Sequence, residues 1–493
     1  MKPIFLLSSL TLLFLTSCLL FSKPTESTPQ QIPPTATATS PNDRSIYRNG
    51  LTPEYQPILD LLPYASMYDI RFNIADNLFH ITGSETVIYT NAEDIELKEV
   101  KLRLFPNILG GKMHVSEVFV DDEAIIPNYT LDDSLLTVPL KKPLLPKENT
   151  TLRMDFNIIV PQSIDLNYGV LAYYENVLAL AHAYPMISVY DDEGWNAEIP
   201  PQSGDVTYAD MSFFLVTVEA PKNLTLVGSG REINRQETGN RQTVRYEAGP
   251  VRDFYLAASP EYKVVSKEVN GITLRFYAPD NFQRGAESAL EAAAKSLEVF
   301  GKRYTSFPYS ELDFVTTPTY ALGIEYPGMI AITEWIVEPD NSYLEATVAH
   351  EIAHQWFYNL VGNDQLDDPW LDESLSQFAT LEYFSDKYGQ TGAQGFRLDL
   401  EGRWNSIGQE EIPVGLPVRD YTDSEYSGIV YGRGGLFFEA LRDEMGSEKF
   451  DAFMKEYVKT NAWDIATPQK FQSQAELVCG CDLTDLFKDW IFP

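Results

Sequence analysis

The spacing of apolar and polar residues changes about midway along the chain. Between residues 51 and 266, short runs alternate apolar and polar side chains, as half-buried β-strands do. Clear examples are residues 68–74 and 100–104, and residues 87–90 are β-branched and aromatic, as strand residues often are. Turn residues separate the runs at Thr82-Gly83, Pro106-Asn107, Gly110-Gly111 and residues 228–230. The pattern predicts a large antiparallel β-domain over residues 51–266.

Helical spacing dominates the rest of the chain, residues 267–493. Strand-like runs persist at residues 272–277 and 312–317. A helix that ends at Gly301 is predicted by apolar residues at helical spacing, namely Ala286, Ala289, Leu290, Ala293, Leu297 and Phe300. Ser342 and Glu345 have the spacing of a capping box for a second helix, with Gly362 as its stop. The predicted fold class is therefore α+β and multidomain, with a boundary near residue 267.

The second of these helices carries His350-Glu351-Ile352-Ala353-His354, which has the form H-E-x-x-H. Residues four apart share one face of a helix, so both imidazoles can bind one metal ion, with Glu351 beside it. A catalytic zinc usually has three protein ligands, and Glu373 offers a carboxylate eighteen residues beyond His354. For His350 and His354, the alternative is a pair of polar histidines on a helix surface. For Glu373, the alternative is a carboxylate at the start of a helix, where the helix dipole favours negative charge.

The same residues resemble the zinc signature of gluzincin aminopeptidases, the relatives of aminopeptidase N and leukotriene hydrolase. In that signature H-E-x-x-H is followed, after eighteen residues, by a glutamate within a segment similar to Trp370-Leu371-Asp372-Glu373. The resemblance implies one Zn²⁺ per chain, held by His350, His354 and Glu373, with Glu351 as the general base. It also implies a saddle-like N-terminal β-domain followed by a thermolysin-like, mostly helical catalytic domain.

A segment upstream of the zinc motif also resembles this family. Leu322-Gly323-Ile324-Glu325-Tyr326 is similar to the G-x-M-E-N segment whose glutamate holds the α-ammonium of the substrate. The likeness implies that Glu325 binds this group and that Gly323 and Tyr326 contact substrate. Leu322, Ile324 and Tyr326 depart from the family pattern. The resemblance therefore does not define the pocket for the substrate side chain.

The third family element lies downstream of Glu373. Tyr431-Gly432-Arg433-Gly434 is similar to the family's Y-x-K-G, with arginine in place of lysine. The likeness implies that the Tyr431 hydroxyl donates to the tetrahedral oxyanion, which a neutral phenol can do at pH 7. Tyr426 matches a tyrosine of some relatives and is a candidate substrate-binding residue.

Three functions fit these residues. The first is a zinc aminopeptidase that removes N-terminal residues from peptides with a free N-terminus, and Glu325 favours it. A thermolysin-like endopeptidase would share the zinc signature without needing an amine-binding glutamate. A catalytically inactive peptide-binding protein on the same fold is the third.

The net charge of the chain limits the classes of partner that it can bind. The chain has 37 basic and 71 acidic residues, a formal net charge of −34, which excludes nucleic acid and anionic lipid headgroups as natural partners. A solvated acidic surface explains the charge, and attraction of cationic substrates is the alternative.

The first 22 residues have the features of a targeting segment. Lys2 precedes an apolar run over residues 4–15, and Leu15-Thr16-Ser17-Cys18 resembles the lipobox of bacterial lipoproteins. The resemblance implies a signal peptide and a lipidated Cys18, and an uncleaved membrane anchor is the alternative. Residues 23–50 are rich in Ser, Thr and Pro and are predicted to form a tether. Either way we expect an extracytoplasmic, membrane-tethered protein.

The remaining expectations concern isolated residues and the end of the chain. Cys479 and Cys481 are interpreted first as buried or partly buried thiols, with a local disulfide or a metal half-site as alternatives. His182 is expected to be a structural histidine. Since the chain ends soon after the helical pattern of residues 483–490, we expect it to lack the C-terminal domains of longer relatives. The cleft would then be open, or covered by a partner or a second copy.

Overall fold

The computed structural model describes residues 43–201 and 204–492. In its first part the strands are β1 (Ser66–Ile74), β2 (His80–Thr90), β3 (Leu97–Arg103), β4 (Lys112–Val120), β5 (Glu123–Ala124), β6 (Asn128–Thr130), β7 (Leu135–Leu144), β8 (Asn149–Ile159), β9 (Leu171–Tyr174), β10 (Val177–Leu180), β11 (Met186–Ile187), β12 (Tyr190–Asp191), β13 (Gly194–Trp195), β14 (Ser212–Pro221), β15 (Thr225–Gly228), β16 (Arg231–Thr238), β17 (Arg241–Val251) and β18 (Leu256–Ser259).

These strands form a large sheet and three smaller ones. The large sheet has the order β16-β17-β14-β1-β2-β8-β4-β5. Two four-stranded sheets have the orders β15-β18-β10-β9 and β11-β3-β7-β6, and β12 pairs with β13. Pairing is antiparallel, as predicted, except that β1 and β14 are parallel. In β1 the alternation is visible directly, since Ile70 and Phe72 are buried while Arg71 and Asn73 are exposed.

One predicted turn is wrong. Gly83 lies inside β2 and pairs with Phe72 on one side and Phe156 on the other. A Cβ atom at Gly83 would lie 2.2 Å from Cζ of Phe156. The glycine therefore makes room for a neighbouring aromatic ring, and this packing requirement leaves the same residue type in the sequence as a turn does.

Glu85 is an unusual residue in the core of this sheet. It lies in β2, is only 1% exposed, and neither of its carboxyl oxygens has a hydrogen-bond partner among the described residues. Burial raises the pKa of Glu85 well above its ordinary value. An unpaired buried carboxyl group costs stability, so Glu85 is a natural position for a stability test.

The second part combines one sheet with most of the helices. Its elements are β19 (Lys263–Val269), β20 (Ile272–Ala278), α1 (Gln283–Arg303), β21 (Glu311–Thr317), β22 (Gly323–Ile324), β23 (Met329–Thr333), α2 (Ser342–Ala353), α3 (Glu373–Ser406), α4 (Asp423–Gly428), α5 (Gly434–Met445), α6 (Ser447–Asn461), α7 (Pro468–Cys479) and α8 (Thr484–Trp490). The β-rich first part and the helical second part confirm the predicted α+β fold class.

The sheet of the second part has the order β19-β20-β21-β23-β22. Strands β20, β21 and β23 run parallel, and β19 and β22 are antiparallel to their neighbours. The predicted apolar stripe of α1 is buried as expected. Because β19 begins at Lys263, the second sheet starts a few residues before the predicted boundary at residue 267.

Both ends of α2 differ from the prediction. The helix is capped by Asn341, whose side chain accepts a hydrogen bond from the backbone N–H of Tyr343, and not by Ser342. It ends at Ala353, so that His354 is the C-cap residue and Gly362 lies well beyond the end. The next long helix, α3, begins at Glu373 and bends at Gly389, which has a φ of 67°.

The folded part begins earlier than the predicted end of the tether at residue 50. Residues Ser45–Gly50 form a 3₁₀ turn in which Tyr47 is buried against Phe213. Leu51 then bridges to Tyr309 in the second part. The apolar pair Tyr47 and Leu51 supplies the buried surface that the composition of the preceding residues lacks.

The predicted targeting segment cannot be placed on this fold. Residues 1–22, Cys18 and the tether up to residue 42 lie outside the described residues. No helix within residues 43–201 and 204–492 is both long and apolar enough to cross a membrane.

The first interpretation of the two downstream cysteines is wrong, because the structure joins Cys479 and Cys481 in a disulfide. Gly480 lies between them at the C-cap of α7 in the left-handed conformation, with a φ of 63°. This turn brings the two Cα atoms to 5.2 Å, within the range of disulfides.

Candidate active site

The three predicted metal ligands meet at the junction of α2 and α3. Nε2 of His350 lies 3.1 Å from Nε2 of His354 and 3.1 Å from Oε2 of Glu373. Nε2 of His354 lies 3.5 Å from the same carboxylate oxygen. Two imidazole nitrogens and one carboxylate oxygen thus point at a common centre, as the helical spacing predicts.

Two of the three candidate ligands, His354 and Glu373, are held by neighbouring groups. Nδ1 of His354 lies 3.0 Å from the carbonyl oxygen of Phe357, which leaves Nε2 free to face the centre. At the start of α3 the Asp372 side chain accepts from the backbone N–H of Glu373 at 2.8 Å. Burial opposes ionisation of Glu373, but its hydrogen bonds with His350 and His354 outweigh burial and hold its pKa well below the ordinary value.

Glu351 faces the edge strand β22. A Cβ atom at Gly323 would lie 2.4 Å from Oε1 of Glu351, so this glycine is what allows the strand to approach the carboxylate. Burial, followed by the charges of Glu325 and Glu373, raises the pKa of Glu351 well above the ordinary value. A carboxylate in this state takes up a proton more readily than one in water, which suits a general base.

Glu325 follows directly after β22 and is buried beside Glu351 and His354, with one possible ligand atom of each residue within 4.8 Å of the others. Nε2 of Gln365 donates to Oε1 of Glu325 at 3.2 Å and to Oδ2 of Asp372 at 2.8 Å. Gln365 therefore links Glu325 to Asp372, the N-cap residue of α3.

Tyr431 lies in a π-helical turn, Ile429–Arg433, and its hydroxyl donates to Oε1 of Glu373. The turn is attached to α3 by Ser374, whose hydroxyl donates to the carbonyl of Val430 at 2.6 Å. Burial and then the charge of Glu373 raise the pKa of Tyr431 well above its ordinary value, so the phenol is neutral and remains a donor.

Both predicted substrate-binding tyrosines, Tyr326 and Tyr426, are buried. Tyr426 packs with its ring centroid 5.6 Å from that of Tyr431, and its hydroxyl has no hydrogen-bond partner among the described residues. The ring of Tyr326 is stacked on Tyr255 at 3.9 Å. Tyr326 thus packs against the β-rich part, and its contact with substrate stays a prediction.

His182 has the structural role expected of it. It is buried, with Nε2 2.7 Å from Oγ1 of Thr207 and Nδ1 3.5 Å from Oδ2 of Asp253. Burial lowers its pKa to about 3, so the imidazole is neutral at physiological pH.

Asp205 and Gln365 are site residues that sequence reasoning missed. The Asp205 carboxyl group hydrogen-bonds to Glu373, and burial followed by the charges of Glu325 and Glu373 raises the pKa of Asp205 well above its ordinary value. It reaches the site from a loop of the β-rich part. Neither residue belongs to a motif that the sequence analysis recognised, and the loop containing Asp205 lacks strand or helix periodicity.

Comparison with known proteins identifies the part of the chain that contains the three candidate metal ligands. The sequence profile of the peptidase family M1 domain matches residues 288–490, which include His350, Glu351, His354, Glu373 and Tyr431. The chain therefore carries an M1 peptidase domain over residues 288–490.

Proteins similar to this chain include aminopeptidases from plants and archaea. It is 25% identical over 417 residues to "Aminopeptidase M1" of Arabidopsis thaliana, covering 77% of this chain and 46% of the relative. It is 26% identical over 301 residues to "Probable aminopeptidase 2" of Sulfurisphaera tokodaii, covering 56% of this chain and 38% of the relative. The chain thus spans less than half the length of these two relatives.

Solved structures share the fold of both parts. An M1 zinc metallopeptidase from Deinococcus radiodurans superposes with a TM-score of 0.66 at 19% identity, covering 87% of this chain and 93% of that one. A mutant of the Deinococcus enzyme bound to a Tyr-Ser-Ala substrate gives a TM-score of 0.68 at 20% identity, covering 86% of this chain and 93% of that one. The β-rich part together with the M1 domain is therefore a known two-part arrangement.

Proposed function

We propose that the protein is a zinc aminopeptidase that hydrolyses the first peptide bond of peptides with a free N-terminus. The observation that carries this proposal is the position of Glu325. Its carboxyl group is buried beside Glu351 and His354, and Gln365 is its hydrogen-bond donor. A buried carboxylate next to the hydrolytic centre favours a substrate that brings a positive charge there.

The residues at the centre fit zinc. Two imidazole nitrogens and a carboxylate oxygen are the donor set of many catalytic zinc sites, and here all three side chains converge. His350, His354 and Glu373 would hold the ion. When bound, zinc supplies a Lewis acid that makes water a nucleophile near neutral pH and polarises the scissile carbonyl.

The proton transfers belong to Glu351. Its raised pKa lets the carboxylate accept a proton from the attacking water, and the resulting acid can pass that proton to the departing amine. Gly323 lies directly against this side chain and leaves no space for it to turn toward β22.

Tyr431 stabilises the developing negative charge in this proposal. Its neutral hydroxyl already lies in the site, on Oε1 of Glu373. A short movement from that oxygen to the substrate oxygen would give the tetrahedral intermediate a hydrogen bond that the planar substrate lacks.

Glu325 determines which bond is cut. An α-ammonium group bound by this carboxylate places the first peptide bond at the centre and holds it there for attack. A substrate without the charge would leave the buried carboxylate unpaired, at a cost in binding free energy.

The test compares one peptide with its N-acetylated form, using purified protein with zinc, with a chelator, and with zinc restored. We expect the free peptide to lose single residues from its N-terminus in the zinc-loaded protein only, and the acetylated peptide to resist. Equal cleavage of both peptides would support a thermolysin-like endopeptidase instead. Zinc binding with equally negligible hydrolysis by the wild type and Glu351→Gln would support an inactive peptide-binding protein.

Two further parts of the proposal derive from the sequence. We place the enzyme outside the cytoplasm on a membrane tether, because residues 4–15 and Cys18 have the pattern of a lipoprotein signal. Detergent partitioning of the wild type and a Cys18→Ser variant tests the lipid anchor. A partner or second copy that covers the cleft is tested by light scattering of the purified protein.

A further inference from the structure

The loop that follows the second zinc-binding histidine contains a strained residue. Tyr358 has a φ of 142°, in a region that bulky residues rarely adopt. Its backbone N–H donates to the carbonyl of Val361, and the N–H of Asn359 donates to the carbonyl of His354. The loop therefore closes tightly on itself directly after His354. Strain of this kind persists only where surrounding contacts hold the residue in place.

Two adjacent residues of the β-rich part supply those contacts. The Tyr358 hydroxyl donates to Oδ2 of Asp253 at 2.7 Å. Nε of Arg252 donates to the Tyr358 carbonyl at 2.5 Å. Both ends of the strained tyrosine, its carbonyl and its hydroxyl, are thus held by consecutive residues that lie outside the M1 domain.

Arg252 is a rigid support for this loop. It is 2% exposed, and its other two donors bind the carbonyls of Ala209 and Asp464 at 2.9 and 2.7 Å. A Cβ atom at Gly362 would lie 2.1 Å from the guanidinium carbon of Arg252. The loop lies directly on the guanidinium, which has little freedom to move.

The residue before Tyr358 contacts the zinc site. The carbonyl of Phe357 lies 3.0 Å from Nδ1 of His354, and this contact sets the ring orientation and leaves Nε2 for the metal. Since Phe357 and Tyr358 share a peptide bond, the backbone conformation of Tyr358 affects where that carbonyl points.

We propose that Arg252 and Asp253 are positioning residues for the zinc ligand His354. They hold Tyr358 in its strained conformation, and Tyr358 in turn holds the Phe357 carbonyl on Nδ1 of His354. The inference rests on the proposed zinc site but not on the peptidase reaction. Its consequence is that tight zinc binding depends on residues of the β-rich part that contribute no ligand.

The test measures zinc affinity by competition with a chromogenic chelator, in the full chain. Tyr358→Phe removes only the hydroxyl that Asp253 accepts from. We expect zinc to bind about 10-fold more weakly, the lower end of the effect of losing a group that hydrogen-bonds a metal ligand directly, because the hydroxyl acts on His354 through the Phe357 carbonyl. Asp253→Asn keeps an oxygen acceptor for the Tyr358 hydroxyl and should stay close to wild type, whereas Asp253→Ala should match Tyr358→Phe.

The matched control is Tyr246→Phe. Tyr246 is also buried, and its hydroxyl donates to the carbonyl of Leu226 at 3.0 Å, within the β-rich part. This variant loses an equivalent hydrogen bond but should retain wild-type zinc affinity. The cobalt-substituted proteins provide a second readout, since a changed His354 orientation shifts the visible absorption of cobalt in Tyr358→Phe but not in Tyr246→Phe.

Two results would overturn the inference. One is a zinc affinity of Tyr358→Phe within twofold of wild type, and the other is an equal loss in Tyr358→Phe and Tyr246→Phe. If Tyr358→Phe does not fold, the comparison of Asp253→Asn with Asp253→Ala decides between the same outcomes. Failure of the aminopeptidase proposal would look different, because zinc would bind with the predicted pattern while the peptide stayed intact.

Discussion

Replacing Glu325 by glutamine isolates the charge that the aminopeptidase proposal requires. Glutamine has nearly the same shape, and its oxygen can still accept the hydrogen bond of Gln365, so the surrounding structure should be preserved. A buried hydrogen bond to a charged partner contributes about 1.5–3 kcal/mol. If Glu325→Gln loses this contribution in the transition state, kcat/KM for a peptide with a free N-terminus decreases roughly 10- to 150-fold.

The assay measures kcat/KM for a free and an N-acetylated peptide with both the wild type and Glu325→Gln. The acetylated peptide has no ammonium group, so its slow hydrolysis should change little in the variant. The preference for the free peptide should therefore shrink by the same factor as the activity falls. An equal loss on both substrates would mean that Glu325 supports the structure only, and no loss on either would remove it from substrate recognition.

Three further predictions address other residues. Tyr431→Phe, assayed at saturating zinc because its hydroxyl also donates to the candidate ligand Glu373, should lower kcat by about 10²–10³ in steady-state kinetics, because it loses one oxyanion donor; metal analysis checks that the variant is fully loaded. Gly323→Ala should lower kcat while circular dichroism stays unchanged, since its methyl group displaces the Glu351 carboxylate; unaltered kcat would contradict the contact. Glu85→Met should raise the free energy of unfolding in urea by about 1–3 kcal/mol at pH 7. Because folding raises the pKa of Glu85, wild-type stability should fall relative to the variant as the pH rises above ~4.3, toward the folded pKa; parallel curves would refute this.

The parts of the site that the sequence predicts are those fixed by local geometry. His350 and His354 are brought together by one turn of a helix, and this requires no knowledge of the rest of the chain. Glu373 needed the resemblance to a family, since it is attached to a different helix. The strands and the α1 stripe followed from periodicity because burial on one face leaves a direct trace in the sequence.

The residues that were missed depend on distant packing. Asp205 and Gln365 reach the site through loops, where neither periodicity nor spacing limits the position of a side chain. Gly83 was misread for a related reason, since a glycine required by a neighbouring ring looks the same in sequence as one required by a turn. The predicted cap of α2 is one residue away from the observed cap. Asn341 and Ser342 are both good capping residues, and only the backbone conformation distinguishes them.

The contacts of Arg252 also bear on how this protein can be engineered. Residues 288–490, matched as the M1 domain, look like a separable module, yet the guanidinium bound to the carbonyls of Tyr358 and Asp464 comes from outside them. A fragment made of the matched residues alone would expose buried carbonyls next to its metal site. Chimeras between relatives should therefore exchange the M1 domain together with the loop around Arg252.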